Sequence, residues 1–234
     1  MRLLTTICVF LYTLCGAVAQ IYPSASPIMI VSGRTSSGEV LVNEEVSTFD
    51  GNAPLEARFE AQPQDNDGYT ARYEWRFYQN NAEKPFLTRL GTEEYTEYTF
   101  NESGSFTIKL FVTFTRGTDE IEYEQDVPFS ISIAESYIEV PNAFTPNDDG
   151  INDIFRIKDN YRSIVEFRAR VYDRWFKKLY EWTDIDGGWD GKSGGHNVPD
   201  GAYYLNVEAK GADGHHYHIK KTISLLRGFD EVLR

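Results

Sequence analysis

Cysteine is nearly absent from this chain: of 234 residues only Cys8 and Cys15 carry a thiol, and both lie in the first nineteen. Loss of that stretch on export would leave a mature chain without disulfides or thiol nucleophiles, whatever redox compartment it crosses. Long apolar runs are just as scarce. The one from Leu3 to Cys15 falls short of the ~20 residues a spanning helix needs. With Arg2 ahead of it and Ala17-Val18-Ala19 before Gln20, it has the layout of a secretory signal peptide, residues 1–19. Leu14 stands before Cys15 where a lipoprotein signal wants a small side chain, so lipid attachment at Cys15 is the lesser reading. A positive excess is also missing. Twenty-three Lys+Arg against 36 Asp+Glu give a net charge of −13, which excludes a general nucleic-acid binder.

Apolar and aromatic material is plentiful. Aromatics form 15% of the chain, with 15 Tyr and 15 Phe, too much for a disordered polymer. The acidity is unevenly shared. Residues 20–136 hold 8 basic and 20 acidic side chains, net −12, and residues 137–234 hold 14 and 16, net −2. Two domains with different surfaces follow from this split: a lead at 20–27, a first domain at 28–135 and a second at 137–234, joined at Ala134-Glu135-Ser136.

Strand patterns dominate both halves, and no segment has the 3.6-residue period of an amphipathic helix. Leu55, Ala57, Phe59 and Ala61 alternate with Glu56, Arg58 and Glu60, which puts one face in a core and one in water. Tyr73, Trp75 and Phe77 repeat the pattern, as do Phe106 to Val112 and Phe129, Ile131 and Ile133, with Trp75 as the expected central core aromatic. In the second half Val165, Phe167, Ala169 and Val171 alternate, then Tyr203, Leu205 and Val207, then Ile219, Ile223 and Leu225. Turn-forming passages such as Gln64 to Gly68 and Pro199-Asp200-Gly201 separate these runs. The fold class is all-β: two tandem immunoglobulin-like antiparallel sandwiches after a cleaved signal peptide, about seven strands in the second.

The first domain, through Gly51-Asn52-Ala53-Pro54-Leu55, Tyr73-Glu74-Trp75-Arg76-Phe77, Tyr98-Thr99-Phe100 and Gly104-Ser105-Phe106, is similar to the polycystic-kidney-disease (PKD) domain of the immunoglobulin-like class. Trp75 and Phe77 alone stand for that family's Trp-Asp-Phe-Gly-Asp-Gly core, so the resemblance supports a fold rather than a ligand. The second domain is more specific. Val140 to Phe155, Val171-Tyr172-Asp173-Arg174-Trp175, Trp189-Asp190-Gly191-Lys192 and Val198 to Tyr204 resemble, in that order, the gliding-motility-associated C-terminal domain of Bacteroidota, the type B sorting domain of the type IX secretion system. The resemblance implies export to the cell surface by the type IX translocon, recognition as a folded shape, and a PorP/SprF-type outer-membrane protein as partner.

Chemistry is sparse. Asn147, Asp149, Asn152 and Asp153 could aim oxygens at Ca²⁺ around Gly150, but no bidentate Glu stands at the twelfth position of an EF-hand. Where the resembled family commonly has glycine this chain has Asp148. Asx-turn capping of the loop by its own side chains is the plainer account. His215, His216 and His218 near Asp213 suggest Zn²⁺, yet strand alternation sends His215 to the face opposite the other two. Tyr69 and Tyr95 are candidate carbohydrate-stacking aromatics. No thiol survives loss of the signal peptide and the carboxylates of the first domain are scattered, so no catalytic residue and no cofactor beyond possible calcium is assigned. The expected function is a non-enzymatic surface protein whose first domain binds a glycan or protein. The alternatives are an accessory of the secretion or gliding apparatus bound to a PorP/SprF-type protein and, more weakly, a carbohydrate-active surface enzyme.

Overall fold

The computed structural model describes residues 22–228; the expected signal peptide with Cys8 and Cys15 lies outside them. Among the described residues there is no helix, and so none long and apolar enough to cross a membrane. The N-terminal half contributes β1 (Ser24–Ala25), β2 (Ile28–Arg34), β3 (Val40–Val46), β4 (Thr48–Gly51), β5 (Leu55–Glu60), β6 (Pro63–Gln64), β7 (Thr70–Gln79), β8 (Leu87–Gly91), β9 (Tyr95–Phe100), β10 (Gly104–Arg116), β11 (Asp119–Glu124) and β12 (Phe129–Ile133). The C-terminal half contributes β13 (Ala143–Phe144), β14 (Ile164–Tyr172), β15 (Lys178–Trp182), β16 (Lys192–Ser193), β17 (His196–Asn197), β18 (Gly201–Gly211) and β19 (His216–Leu225).

Two sheets face one another in the N-terminal half, one ordered β3-β2-β5-β9 and the other β4-β12-β10-β7-β8 with β11 also on β10. The alternating residues meet between them as the sequence pattern requires. Phe59, Phe77, Ile108, Leu110, Phe114 and Ile131 have no solvent exposure, and Trp75 retains 2%. Phe59 lies 5.7 Å from Trp75 and 5.5 Å from Phe77, ring centre to ring centre, so an aromatic cluster packs among the aliphatic residues of the core. Within the 20–27 lead, Ser24–Ala25 pairs with Pro63–Gln64 and Ala25 is buried, so this stretch packs against the first domain.

One edge of the thirteen-residue strand β10 is shared by two partners, and sequence alternation gives no hint of how it passes from one to the other. Gly104–Ile108 pair with β12 and Phe111–Arg116 with β11. At Leu110 between them, Gln125 completes the ladder. Its N–H donates to the Leu110 carbonyl at 2.9 Å, its side-chain Oε1 accepts the Leu110 N–H at 3.0 Å, and its Nε2 donates to the Val127 carbonyl at 2.8 Å. A buried amide side chain thus stands in for a missing strand residue, because an orphaned backbone N–H in a core is costly.

The C-terminal half is built on one sheet, β13-β19-β18-β14-β15, with β16 and β17 a separate two-residue hairpin. Ala169, Val171, Leu205, Val207, Ile223 and Leu225 point inward from it. Much of the opposing layer is irregular chain carrying Ile138, Val140, Phe155, Ile157 and Trp189, tied by an isolated bridge between Phe155 and Trp189. All-β, sandwich-like architecture therefore holds in both halves, with seven strands in the second. Each half also contains one parallel pair, β4 with β12 and β13 with β19, where only antiparallel pairing is expected from the pattern.

A register shift near the start of β14 changes the expected inward set. Ile164 is buried in the C-terminal core, while Val165 packs against the N-terminal one. Ala212, at the turn between β18 and β19, is also part of the N-terminal core. Ser163 Oγ accepts the Ala53 N–H at 3.2 Å and the Ala212 carbonyl accepts the Ser103 N–H at 3.0 Å. Arg34 reaches Asp186 at 3.4 Å and lies 5.0 Å from the Tyr161 ring centre. Burial, then the adjoining Asp186 carboxylate, push the Tyr161 phenol well above its usual range. The Ala134-Glu135-Ser136 junction is pinned: Ala134 N–H donates to the Gly51 carbonyl, and Asp213 accepts both Ser136 N–H and Ser136 Oγ–H at 2.9 and 2.8 Å.

Candidate functional site in the C-terminal domain

The Asn/Asp loop follows β13, and the four expected residues come together in it. Asp153 accepts the Asp148 N–H on one carboxylate oxygen and the Gly150 N–H on the other, both at 2.8 Å. Asp149 accepts the Ile151 N–H at 2.8 Å and an amide hydrogen of Asn147 at 2.9 Å. Thr145 N–H donates to the Asn152 carbonyl at 2.9 Å and closes the base. Each of the four carboxylate oxygens therefore accepts a hydrogen bond from within the loop. Asp148 stands at φ +65° and Asn152 at φ +54°, left-handed conformations that these short polar side chains support through local hydrogen bonds. A cation here would share its oxygens with the loop's own N–H groups.

Beside this loop, Trp189 is fully buried and donates its indole N–H to the Lys192 carbonyl at 2.7 Å. Gly191 follows at φ +76°, and a Cβ there would meet Arg227 Nη2 at 2.8 Å and Leu225 Cδ1 at 3.0 Å. Glycine is required on both counts. Arg227 occupies the space so left: its guanidinium donates to the Gly191 carbonyl at 2.7 Å and to the Val198 carbonyl, and its backbone N–H donates to Asp200 at 2.8 Å. This arginine ties the end of β19 to the turns before β18.

The other expected sites are dispersed. His215, His216 and His218 are all exposed on the β18–β19 hairpin, with His215 packed edge-on to Tyr217. Asp213 accepts Ser136 and the His215 N–H; burial acts to raise its carboxyl, but these hydrogen bonds prevail and hold it below its usual value. Among the described residues no group of three or more His, Cys, Asp or Glu side chains is placed to hold a metal ion. Tyr69 and Tyr95 each have a guanidinium over the ring, Arg116 at 4.3 Å and Arg58 at 3.9 Å, so one face of each candidate sugar platform is already occupied.

One surface feature is invisible to the alternation analysis. The turn from β14 to β15 carries Trp175 and Phe176, 71% and 72% exposed, the most exposed aromatic side chains of the described residues. Asp173 Oδ1 accepts the N–H groups of Trp175 and Lys177, each at 2.9 Å, which fixes the turn. The sequence shows only an aromatic pair beside Arg174, Lys177 and Lys178, with nothing to say whether the pair is covered.

Comparison with known proteins bears on this domain. Residues 138–224 match the CHU_C type IX secretion signal domain. That match supports export by the type IX system, which implies contact with secretion machinery and a destination at the cell surface or beyond it. No curated protein matches the chain. Among solved structures it is similar to chicken CNTN1 FN1-FN3 domains at 10% identity and a TM-score of 0.29, covering 75% of this chain and 64% of that one. It is similar to dimeric latent PorU from Porphyromonas gingivalis at 12% identity and 0.26, covering 87% and 20%, and to a tetra-tandem repeat in the extending region of a large adhesion protein at 10% and 0.27, covering 88% and 68%. The chain thus spans less than two thirds of the first two. At TM-scores below 0.5 these likenesses assign no function, and the fold stands on its own sheet topology.

Proposed function

We propose that this chain is a non-enzymatic surface protein in which the C-terminal domain is a type B sorting address and the N-terminal PKD-like sandwich is the exported binding or adhesion module. The observation that carries the proposal is the match of residues 138–224 to a secretion signal domain, on a unit with its own core and seven strands. The strongly acidic first domain, net −12, gives the displayed module a surface suited to a cationic or polar ligand, protein or glycan. A PorP/SprF-type outer-membrane protein is the proposed partner after export. The Asn/Asp loop is proposed to be a self-capped structural element, with calcium as the competing outcome.

The experiment is deletion of residues 138–234 in a type IX-competent bacterium that makes the protein. Periplasmic retention of the truncated chain, measured by protease accessibility on whole cells, is the expected result. Surface display at the level of the full chain overturns the assignment of the address.

A further inference from the structure

We propose that the turn Asp173 to Lys177 is a docking surface for an acidic polypeptide segment of a partner protein, one carrying an aromatic or aliphatic side chain among its carboxylates. The proposal rests on the reading of the C-terminal domain as an export address and names the surface through which that domain is gripped. Trp175 and Phe176 expose 71% and 72% of their surface in a turn whose backbone is fully organised: Asp173 N–H donates to the Lys177 carbonyl and Phe176 N–H to the Asp173 carbonyl, both at 3.0 Å, in addition to the two bonds accepted by the Asp173 carboxylate. An aromatic pair held this way loses little freedom when it is covered.

Phe176 stands at φ +61°, a conformation a bulky side chain rarely adopts. Glycine would satisfy the turn at no steric cost, so the ring is not there for the sake of the backbone. It lies flat on Tyr204, with centroids 5.1 Å apart and planes 7° from parallel, and makes an aromatic shelf open to solvent. A groove of about 380 Å³ runs from this shelf along Tyr172, Lys220 and Lys221. A second, of about 450 Å³, lies on the Trp175 side against Leu179, Val198 and Ala202, and Tyr204 borders both; the two carboxylates of this second groove are engaged, Asp173 by the N–H groups of the turn and Asp200 by Arg227. Two grooves flanking a ridge fit an extended chain that straddles the turn better than they fit a flat lipid surface.

Charge sets the partner's sign. Arg174 lies 4.1 Å from the Trp175 ring centre. Among the described residues Arg174, Lys177 and Lys220 have no carboxylate in ion-pair range, whereas nearby Lys178 is matched by Glu181. Unmatched cations around exposed Trp, Phe and Tyr, on a chain of net charge −13, make a local basic rim with the residue types that dominate binding hot spots. The same net charge opposes a second copy of this chain as the occupant.

The test uses the full chain with Trp175→Ser, Phe176→Gly and the double change Lys177→Glu/Lys220→Glu. Thermal midpoints serve as the folding control, and Phe176→Gly is expected to match or exceed the wild type because glycine suits the backbone. The first readout is binding of purified protein to a Glu/Tyr copolymer, expected to be salt-sensitive and weakened at least tenfold in each variant. The second is surface level on whole cells, expected to fall by a similar factor. Copolymer binding that all three variants retain overturns the proposal. So does wild-type affinity for vesicles of phosphatidylglycerol and phosphatidylethanolamine that the variants lose, which makes the patch a lipid contact, or a concentration-dependent dimer that they lose, which makes it a self-contact. If deletion of residues 138–234 blocks export while the turn variants are exported normally, the address stands and the docking surface falls. If the deletion leaves export intact, the address falls and copolymer binding alone decides the surface.

Discussion

The two domains close their cores by different means. In the N-terminal one, two regular sheets face each other and nearly every core residue comes from an alternating strand. In the C-terminal one, a single sheet is covered largely by irregular chain, which is held by Trp189, by the Asp153 carboxylate and by Arg227. Regular ladders satisfy their own backbone; an irregular layer must satisfy it with side chains. Turn-forming and hydrogen-bonding residues therefore carry structural weight in the second domain that apolar alternation carries in the first.

That contrast is broken most directly in the cores. Trp75→Ala is expected to cost about 3 to 5 kcal/mol, since it empties the centre of an aromatic cluster, and Trp189→Ala a similar amount plus an orphaned Lys192 carbonyl. Denaturant unfolding of the full chain measures both. If either variant stays within about 1 kcal/mol of the wild type, that tryptophan does not organise its layer.

Side chains that replace a ladder should come next. Gln125→Ala leaves the Leu110 N–H buried without its acceptor, and Arg227→Ala leaves the Val198 carbonyl without its donor and the Gly191 carbonyl with the Val198 N–H alone; each is expected to cost about 1 to 3 kcal/mol. Replacing Gln125 by Glu keeps an acceptor for Leu110 but turns a buried carboxylate oxygen toward the Val127 carbonyl, so a cost at least as large as that of alanine is expected.

A smaller effect separates capping from metal binding. Asp153→Ala removes the acceptor of two loop N–H groups and is expected to cost about 0.5 to 2 kcal/mol by thermal unfolding, with calcium and chelator leaving the wild-type midpoint unchanged. A calcium-dependent rise that Asp149→Ala or Asp153→Ala abolishes would make the loop a metal site.

The junction between the domains gives the smallest expected changes. Arg34→Ala should cost no more than about 1 kcal/mol, as befits a partly exposed ion pair. Asp213 has its carboxyl pKa depressed in the folded chain. Its stabilisation is accordingly present above the unfolded carboxyl pKa of about 3.9 and is lost as pH falls through the lower, folded value. Asp213→Asn should flatten stability against pH in that acid range only. An unaltered acid limb in the variant would show that the Ser136 contacts do not couple to folding.

The route from sequence to fold was open wherever one face of a strand is wet. Leu55 to Ala61, Tyr73 to Phe77 and Phe106 to Val112 alternate because burial on one face imposes a period of two, and the structure buries those residues. Trp189-Asp190-Gly191 stood out in the sequence as one block of the resemblance to a sorting domain; the structure shows it to be a buried indole followed by a tight turn at Gly191. The Asn/Asp loop was recognisable as a capped turn or a cation site, but not as one of the two. That distinction lies in where the Asp149 and Asp153 oxygens end up, and composition is the same in both cases.

Local residue chemistry by itself thus determined the all-β class, the faces of the long strands, the acidic first domain and the block order that matches a secretion signal. Tertiary structure alone decided the passage of β10 from β12 to β11 through Gln125, the placing of Val165 and Ala212 in the other domain's core, and the exposure of Trp175 and Phe176. Alternation reports only whether a residue faces a core. Which core it faces, which backbone group it completes and whether an aromatic is left uncovered depend on chain segments far apart in sequence, 110 residues for Ala53 and Ser163 and 152 for Arg34 and Asp186, and no local pattern encodes them.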